Sequence, residues 1–248
     1  MMKILTDVHT HTNISAHAYS TLYENMCAAR DKGLELVAMT NHGPSMPDSP
    51  HWWHFLYFKA IPRKIEGVKL LCGAEVNVTD RSGALDMPNS ILDLMELVIV
   101  SIHNDTYHEE KGGDHTETWL NVIDNPCVDI LGHIGSPDYI FDIDRVIPYA
   151  KEKNVCIEIN NHTFISRPQN VERCREIAMA CKKYEVPIVV NSDAHFMSGI
   201  GCVRNAVTML EDMDFPEDLI MNLNAERFIK YISAKKNKNF EFKTFDEE

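Results

Sequence analysis

Asp7-Val8-His9-Thr10-His11 follows directly on the apolar residues Ile4-Leu5-Thr6, which read as a short buried strand. Side chains of a strand alternate faces, so residues i and i+2 point the same way. His9 and His11 therefore project together from the C-terminal end of a first strand. Neutral imidazole is the commonest metal ligand, and two on one face are a natural start for a metal site.

The same arrangement recurs along the chain. A polar loop containing His17 leads to a helix opened by Thr21-Leu22-Tyr23-Glu24 and closed by Gly33. A second strand, Leu34 to Met39, ends at Asn41-His42-Gly43. Val68 to Ala74 delivers Glu75, Leu97 to Ile102 delivers His103, and Val128 to Leu131 is followed by Gly132-His133. A sixth strand, Val155 to Ile159, ends in Asn160-Asn161-His162, and Ile188-Val189-Val190 leads into Asn191-Ser192-Asp193-Ala194-His195. Helical stretches near 117–122, 144–153 and 169–184 separate the later strands, and two more helices close the chain. Seven strands alternating with helices, without an internal linker, predict one α/β domain with parallel strands. If the strands close into a barrel, their C-terminal ends share one rim, where βα loops build the active site.

That rim would collect His9, His11, His42, Glu75, His103, His133, Asp193 and His195, with His17 folding back over it from the first loop. The set is rich in imidazole, with Glu75 and Asp193 its only carboxylates, which suits zinc, iron or manganese better than calcium or magnesium. Nine ligand-type residues are too many for one ion and enough for two or three. Three divalent cations would exceed two carboxylates in charge, leaving the balance to hydroxide and an anionic ligand such as a phosphate ester. A metal-bridging hydroxide could then attack phosphorus in line, with the metals stabilising charge on the phosphoryl oxygens.

Composition sets the outer bounds. The chain has 248 residues, 44% apolar and 25% charged, enough for one sizeable core. Its net charge of −13 argues against a partner held through many backbone phosphates, such as a long nucleic acid, but allows a small phosphorylated substrate in a locally cationic site. Seven cysteines without a C-x-x-C pair read as buried thiols of a reducing cytosol. No apolar run approaches the roughly 18 residues of a membrane span, and no signal-peptide pattern begins the sequence, so a cytoplasmic protein is expected.

Taken together, H-x-H, N-H-G, the lone Glu75, G-H and D-A-H resemble the PHP (polymerase and histidinol phosphatase) family over nearly the whole chain. The closer likeness is to its small stand-alone YcdX-type phosphatases, carried by His17-Ala18-Tyr19-Ser20, Pro50-His51-Trp52-Trp53-His54-Phe55 and Glu158-Ile159-Asn160-Asn161. The resemblance implies a distorted (β/α)7 barrel, TIM-barrel-like, spanning 1–234 with a charged tail at 235–248. It also implies three metals, usually zinc, and metal-dependent phosphoesterase activity, and it hints at a trimer. One metal would take His9, His11, Glu75 and Asp193, and a second would share Glu75 and add His103 and His133. A third would take His17, His42 and His195. Two departures stand out: His162 replaces a small polar residue, and Asn41 replaces an aspartate that could orient His42.

Other residues carry weaker readings. Arg167, in the loop after the sixth strand, is the first candidate for holding phosphoryl oxygens, with Arg204 behind it. His51 and His54 could form a substrate wall or simply pack in their loop, and His162 could touch substrate from the rim. His108 and His115 read as solvated, and Lys235-Lys236-Asn237-Lys238 as a solvated, frayed tail. The functional reading is a phosphatase acting on a small phosphomonoester, with Glu75 and Asp193 at its catalytic centre. The alternatives are a phosphodiesterase or nuclease-like enzyme, an amidohydrolase, and a non-catalytic metal-binding regulator.

Overall fold

A computed structural model of the protein describes residues 2–247. Its strands are β1 (Thr6–Thr10), β2 (Leu36–Met39), β3 (Lys64–Ile65), β4 (Val68–Asn77), β5 (Leu97–Ser101), β6 (Ile130–Leu131), β7 (Cys156–Asn160) and β8 (Ile188–Asn191). Seven of them run parallel in the order β1-β2-β4-β5-β6-β7-β8, and β3 forms a short antiparallel arm on β4. The helices are α1 (Leu22–Asp31), α2 (Trp53–Leu56), α3 (Asn89–Leu92), α4 (Thr116–Asp124), α5 (Ile143–Glu152), α6 (Thr163–Ser166), α7 (Val171–Tyr184), α8 (Arg204–Asp212) and α9 (Ala225–Lys236). The expected alternation of parallel strands and helices in one α/β domain is what forms. The antiparallel arm was not expected, and β1 and β4 run further than the apolar runs suggested, so His9 and Glu75 lie within strands.

Strand alternation explains why the rim is polar and the base is not. Val8, Leu36, Ala38, Leu71, Leu97, Ile99, Ile130, Cys156 and Val189 form one buried cluster inside the barrel. The intervening residues, such as Val37, Leu70, Cys72, Val98 and Ile157, join the cluster between strands and helices. Continuing the inward period of two past the apolar layers brings up Glu75 and Asn77 on β4, Ser101 on β5, Glu158 and Asn160 on β7 and Asn191 on β8. A register shift in β1 between Asp7 and Thr10 lets Val8 join the apolar interior while His9 enters the polar layer. Close strand approach has its own requirement: a Cβ on Gly73 would lie 2.1 Å from the Leu97 carbonyl oxygen.

The barrel is nearly closed rather than continuous. Between β8 and β1 the ladder is replaced by a bridge at Thr10 and Ala194, with His11 N donating to Ala194 O at 2.9 Å. Below it, Asn191 Oδ1 accepts from Val8 N at 3.0 Å. Asn222 fills the remaining gap: its side chain bonds both backbone groups of Val190, at 2.9 and 2.7 Å, while its carbonyl accepts from Thr6 Oγ1 at 2.7 Å. Buried backbone groups at the seam are thereby satisfied, as buried polar groups must be.

The outer layer follows local signals. Thr21 and Glu24 form a capping box on α1, and Asp142 caps α5. The C-terminal run does not fray at Lys235. Helix α9 continues to Lys236, whose Nζ lies 2.8 Å from the fully buried Asp129 carboxylate. Phe240 and Phe242 pack against the barrel base, and Arg63 N donates to Lys243 O at 3.1 Å. Apolar tail side chains thus cover the barrel base where only charge was read. Among the described residues, no helix is long and apolar enough to cross a membrane.

Candidate metal centre and active site

The strand ends deliver their ligand-type residues to one buried cluster. His9 Nε2 lies 3.2 Å from Glu75 Oε2 and 3.6 Å from Asp193 Oδ1, and His11 Nε2 lies 3.2 Å from Asp193 Oδ1. On the other side of Glu75, His133 Nε2 is 2.9 Å and His103 Nε2 3.4 Å from Oε1, while His42 Nδ1 is 3.0 Å from Oε2. His42 Nε2 in turn is 3.3 Å from His17 Nε2, and the His195 ring stacks on His11 with centroids 4.3 Å apart. Glu75 is the hub of this arrangement, touching five imidazoles.

Two of these residues hold their positions through unusual backbone. His133 has φ 31° and Asp193 φ 54°, both in the left-handed region. Such a conformation costs about 1–2 kcal/mol outside glycine and persists where surroundings dictate it. It turns each side chain inward just past its strand. Gly132 precedes His133 because a Cβ there would lie 2.3 Å from Ser101 Oγ, the hydroxyl that donates to Glu75 Oε1 at 2.6 Å.

The far nitrogens of the imidazoles are fixed by acceptors that cannot donate. His9 Nδ1–H donates to Glu158 Oε1 at 2.7 Å, His103 Nδ1–H to Asn77 Oδ1 at 2.7 Å, and His17 Nδ1–H to Asp48 Oδ2. His195 Nδ1–H donates to the Asp193 carbonyl at 2.9 Å. In the neutral ring this leaves Nε2 with its lone pair, the state a metal requires. Glu158 also accepts from Asn191 and Asn160, at 2.9 and 3.0 Å, and from His133 N at 2.9 Å. Asp86 holds Asn77 through its backbone and side-chain N–H groups, so His103 is positioned two residues deep.

Electrostatics separates the histidines. Burial disfavours the cation of His9, but the carboxylates of Glu158, Glu75 and Asp193 together outweigh it and raise its pKa well above the ordinary value. Burial and the neighbouring His42 push His11 well below it, and burial with Arg167 lowers His133. Burial opposes ionisation of Glu75 and Asp193, yet the surrounding imidazoles, His9 first, hold both well below the usual carboxylate range.

The donor set fits divalent metal ions. His9 Nε2, His11 Nδ1 and Nε2, His42 Nδ1, Glu75 Oε2 and Asp193 Oδ1 are all buried without a hydrogen-bond partner. Unsatisfied buried polar groups cost about 1–3 kcal/mol each. Six of them would rival the whole stability of a domain, about 5–15 kcal/mol. Among the described residues, three clusters bring ligand atoms within 4.8 Å: His9, His11 and Asp193; His42, Glu75 and His103; and His11, His42 and His195. The last grouping places His11 where His17 was expected, with the half-exposed His17 stacking on His42 and His195 from outside.

A cavity of about 660 Å³ opens over this cluster, lined by His17, His42, His103, His133, His195 and Arg167 among others. Arg167 Nη2 lies 3.4 Å from Asp193 Oδ2, and its Nε is buried without a partner. His162 lines the same cavity, but Arg204 lines a separate one. His51 is not part of it: the loop turns away after Asp48, because Phe55 and Phe58 anchor it to the core, and His51 lines an outlying apolar recess with Trp53 and Tyr57. His54 is half-buried there, accepting from Asn41 Nδ2 at 3.1 Å. Asn41 Oδ1 accepts from Thr12 N at 2.8 Å, so this residue ties loops together and does not touch the His42 ring. His115 is buried rather than solvated, accepting from Tyr107 Oη at 2.7 Å and donating to Glu110 O at 3.0 Å. His108 is exposed, as expected. Glu158, Asp48, Asn77 and Ser101 are the site residues that sequence reasoning missed. For Glu158 a signal existed: a charge on the inward period of an apolar strand.

Comparison with known proteins agrees with this geometry. The family profile described as PHP domain matches residues 7–162, and one described as PHP-associated matches 172–228. A protein of Clostridium botulinum named "Probable phosphatase" is 43% identical over 94% of this chain and 96% of its own. One of the same name from Clostridium novyi is 44% identical over 94% and 96%. Barrel, rim and relatives together define a phosphoesterase of the hydrolase class. The chain belongs to the PHP domain family. A solved histidinol phosphate phosphatase from Lactococcus lactis, complexed with zinc, L-histidinol and phosphate, aligns with TM-score 0.60 at 17% identity. It covers 85% of this chain and 94% of that one, a likeness that shows the shared fold.

Proposed function

We propose that the protein hydrolyses a small phosphomonoester with three divalent metal ions, zinc foremost and manganese or iron in some sites. The observation that carries this reading is the set of unpartnered buried ligand atoms around Glu75, beneath a cavity containing Arg167. His9, His11, Glu75 and Asp193 would hold one ion, Glu75 with His103 and His133 a second, and His17, His42 and His195 a third, with His11 close to the last set. Bound there, such ions would lower the pKa of water toward neutrality and draw charge from phosphoryl oxygens.

This chain's residues supply the rest. Arg167 offers its unpartnered Nε–H for a phosphoryl oxygen, and its attachment to Asp193 through Nη2 keeps the guanidinium at the cavity wall. Glu158, Asn77 and Asp48 hold imidazole orientations before substrate arrives. Even counting Glu158 and Asp48 beside Glu75 and Asp193, three divalent ions would exceed the carboxylates, which favours a phosphate over a neutral amide. Arg167 is the one Lys or Arg among the described residues lining the cavity, which gives a polynucleotide backbone few cations to hold there.

The test is hydrolysis of p-nitrophenyl phosphate against its bis-ester, on zinc- and manganese-loaded protein, with Asp193→Asn as control. Asparagine tolerates the left-handed backbone at 193, so this variant keeps its fold. A faster monoester, lost in the variant, is expected. A faster diester, or no hydrolysis by metal-loaded protein, would overturn the reading.

A further inference from the structure

Beside the histidine-lined cavity lies a second recess of about 250 Å³, and His17, His162 and His195 line both. The rest of its lining mixes apolar residues with Asn161, Ser192, Ser198 and Cys202. Tyr19, Ile165 and Phe196 surround it with relative exposures of 74%, 65% and 51%. Large hydrophobic side chains held open around one recess mark a binding site on a soluble surface.

Several polar groups of the recess are already committed. Ser192 Oγ donates to Asp7, Asn161 Oδ1 accepts from Ala206 N at 3.1 Å, and Cys202 Sγ donates to Ser198 O at 3.3 Å. No Asp, Glu, Lys or Arg is among the described residues lining it. Lys32 Nζ lies 3.3 Å from Cys202 Sγ but is held by the Ser198 and Ile200 carbonyls at 2.7 and 2.6 Å, so no cation of the lining itself is offered to a second anionic group, in a chain of net charge −13. The exposed rings of Tyr19 and Phe196 and the side chain of Ile165 are the largest surfaces the recess presents.

We propose that this recess receives the organic part of the substrate, a compact apolar group and by preference an aromatic one, esterified to the phosphate bound in the neighbouring cavity. The inference rests on the phosphomonoesterase reading. With the phosphoryl group over the metal cluster, the ester oxygen falls at the wall formed by His17, His162 and His195, and the alcohol residue continues into the recess. The two compartments are mechanically tied. Tyr19 N donates to His195 O at 2.8 Å, and Phe196 follows His195 directly, so the backbone that carries both rings is anchored at His195.

Phenyl phosphate and glycerol 2-phosphate separate the two compartments, because comparing each variant with wild type cancels their different intrinsic reactivities. In zinc-loaded Tyr19→Ala and Phe196→Ala, kcat/KM for phenyl phosphate should fall about five- to ten-fold, the loss expected for a ring contact. Glycerol 2-phosphate should change less than about two-fold, and inhibition by inorganic phosphate should stay the same. Equal losses on both substrates would overturn the assignment. If wild type hydrolyses neither, the phosphomonoesterase reading falls, and calorimetry still decides the recess. Tighter binding of phenylphosphonate than methylphosphonate, lost in both variants, would support it, and no preference would overturn it.

Discussion

Glu158 holds His9 from behind: its Oε1 accepts from His9 Nδ1–H at 2.7 Å while His9 Nε2 faces Glu75 and Asp193. Both side chains are fully buried. Glu158→Gln removes the charge that makes the imidazole a strong donor to a metal. Zinc affinity should fall about 10- to 100-fold, read by competition with a chelating dye, with an unchanged far-ultraviolet spectrum. Unaltered affinity would show that Glu158 serves the fold alone.

Glu75 touches five imidazoles from two sides of the cluster. Glu75→Ala should therefore lower metal content by more than one equivalent per chain, measured by elemental analysis after dialysis. An unchanged metal content would remove its bridging assignment.

Stripping metal should destabilise the protein, since the buried ligand atoms then lack partners. A ligand present at 100 times its Kd stabilises the folded state by about 2.7 kcal/mol. For a domain of this size each kcal/mol moves Tm by about 2–4 °C. Scanning calorimetry with and without chelator should therefore show a drop of roughly 5–10 °C.

His54 predicts a pH dependence independent of the metals. Burial depresses its pKa from 6.5 to about 4, and Asn41 donates to its Nε2, which must be unprotonated to accept. As pH falls below 6.5 the unfolded chain takes up this proton before the folded one does. Stability contributed by neutral His54 is thus full above pH 6.5 and is lost on the way down to about 4, by at most about 3 kcal/mol. Urea titrations of chelated protein at pH 7.5 and 4.5 should show a smaller loss in His54→Gln, whose amide oxygen can still accept from Asn41.

Gly73→Ala places a carbon 2.1 Å from the Leu97 carbonyl oxygen, against backbone rather than a movable side chain. β4 and β5 must separate, and stability should fall by about 1–3 kcal/mol or more in denaturant titrations. Because β4 carries Glu75, metal affinity should fall with it.

Much of the centre was legible because a period of two and a strand end are local properties. His9 with His11 and Asp193 with His195 needed only i, i+2 spacing, and His42, Glu75, His103 and His133 only their place after apolar runs, while His17 sits in a loop. The residues that position them were harder to see. Asp48 and Asn77 reach the site through a loop path and a strand longer than its apolar run, and neither is written in local spacing. His51 and His115 were misplaced for a related reason. Whether a loop histidine is buried depends on what packs over it: for His115 this is Tyr107, and for the loop of His51 the anchors are Phe55 and Phe58.

The seam between β8 and β1 has a consequence in time. One lip carries His9 and His11, the other Asp193 and His195, and Asn222 stitches the two together. A ribosome therefore finishes the first half of this centre long before the second exists. Any metal coordination by all four would have to wait until residue 222 has emerged and the ends of the chain have met. An ion bound there would act as a clasp, fastening the earliest-made strand to the last.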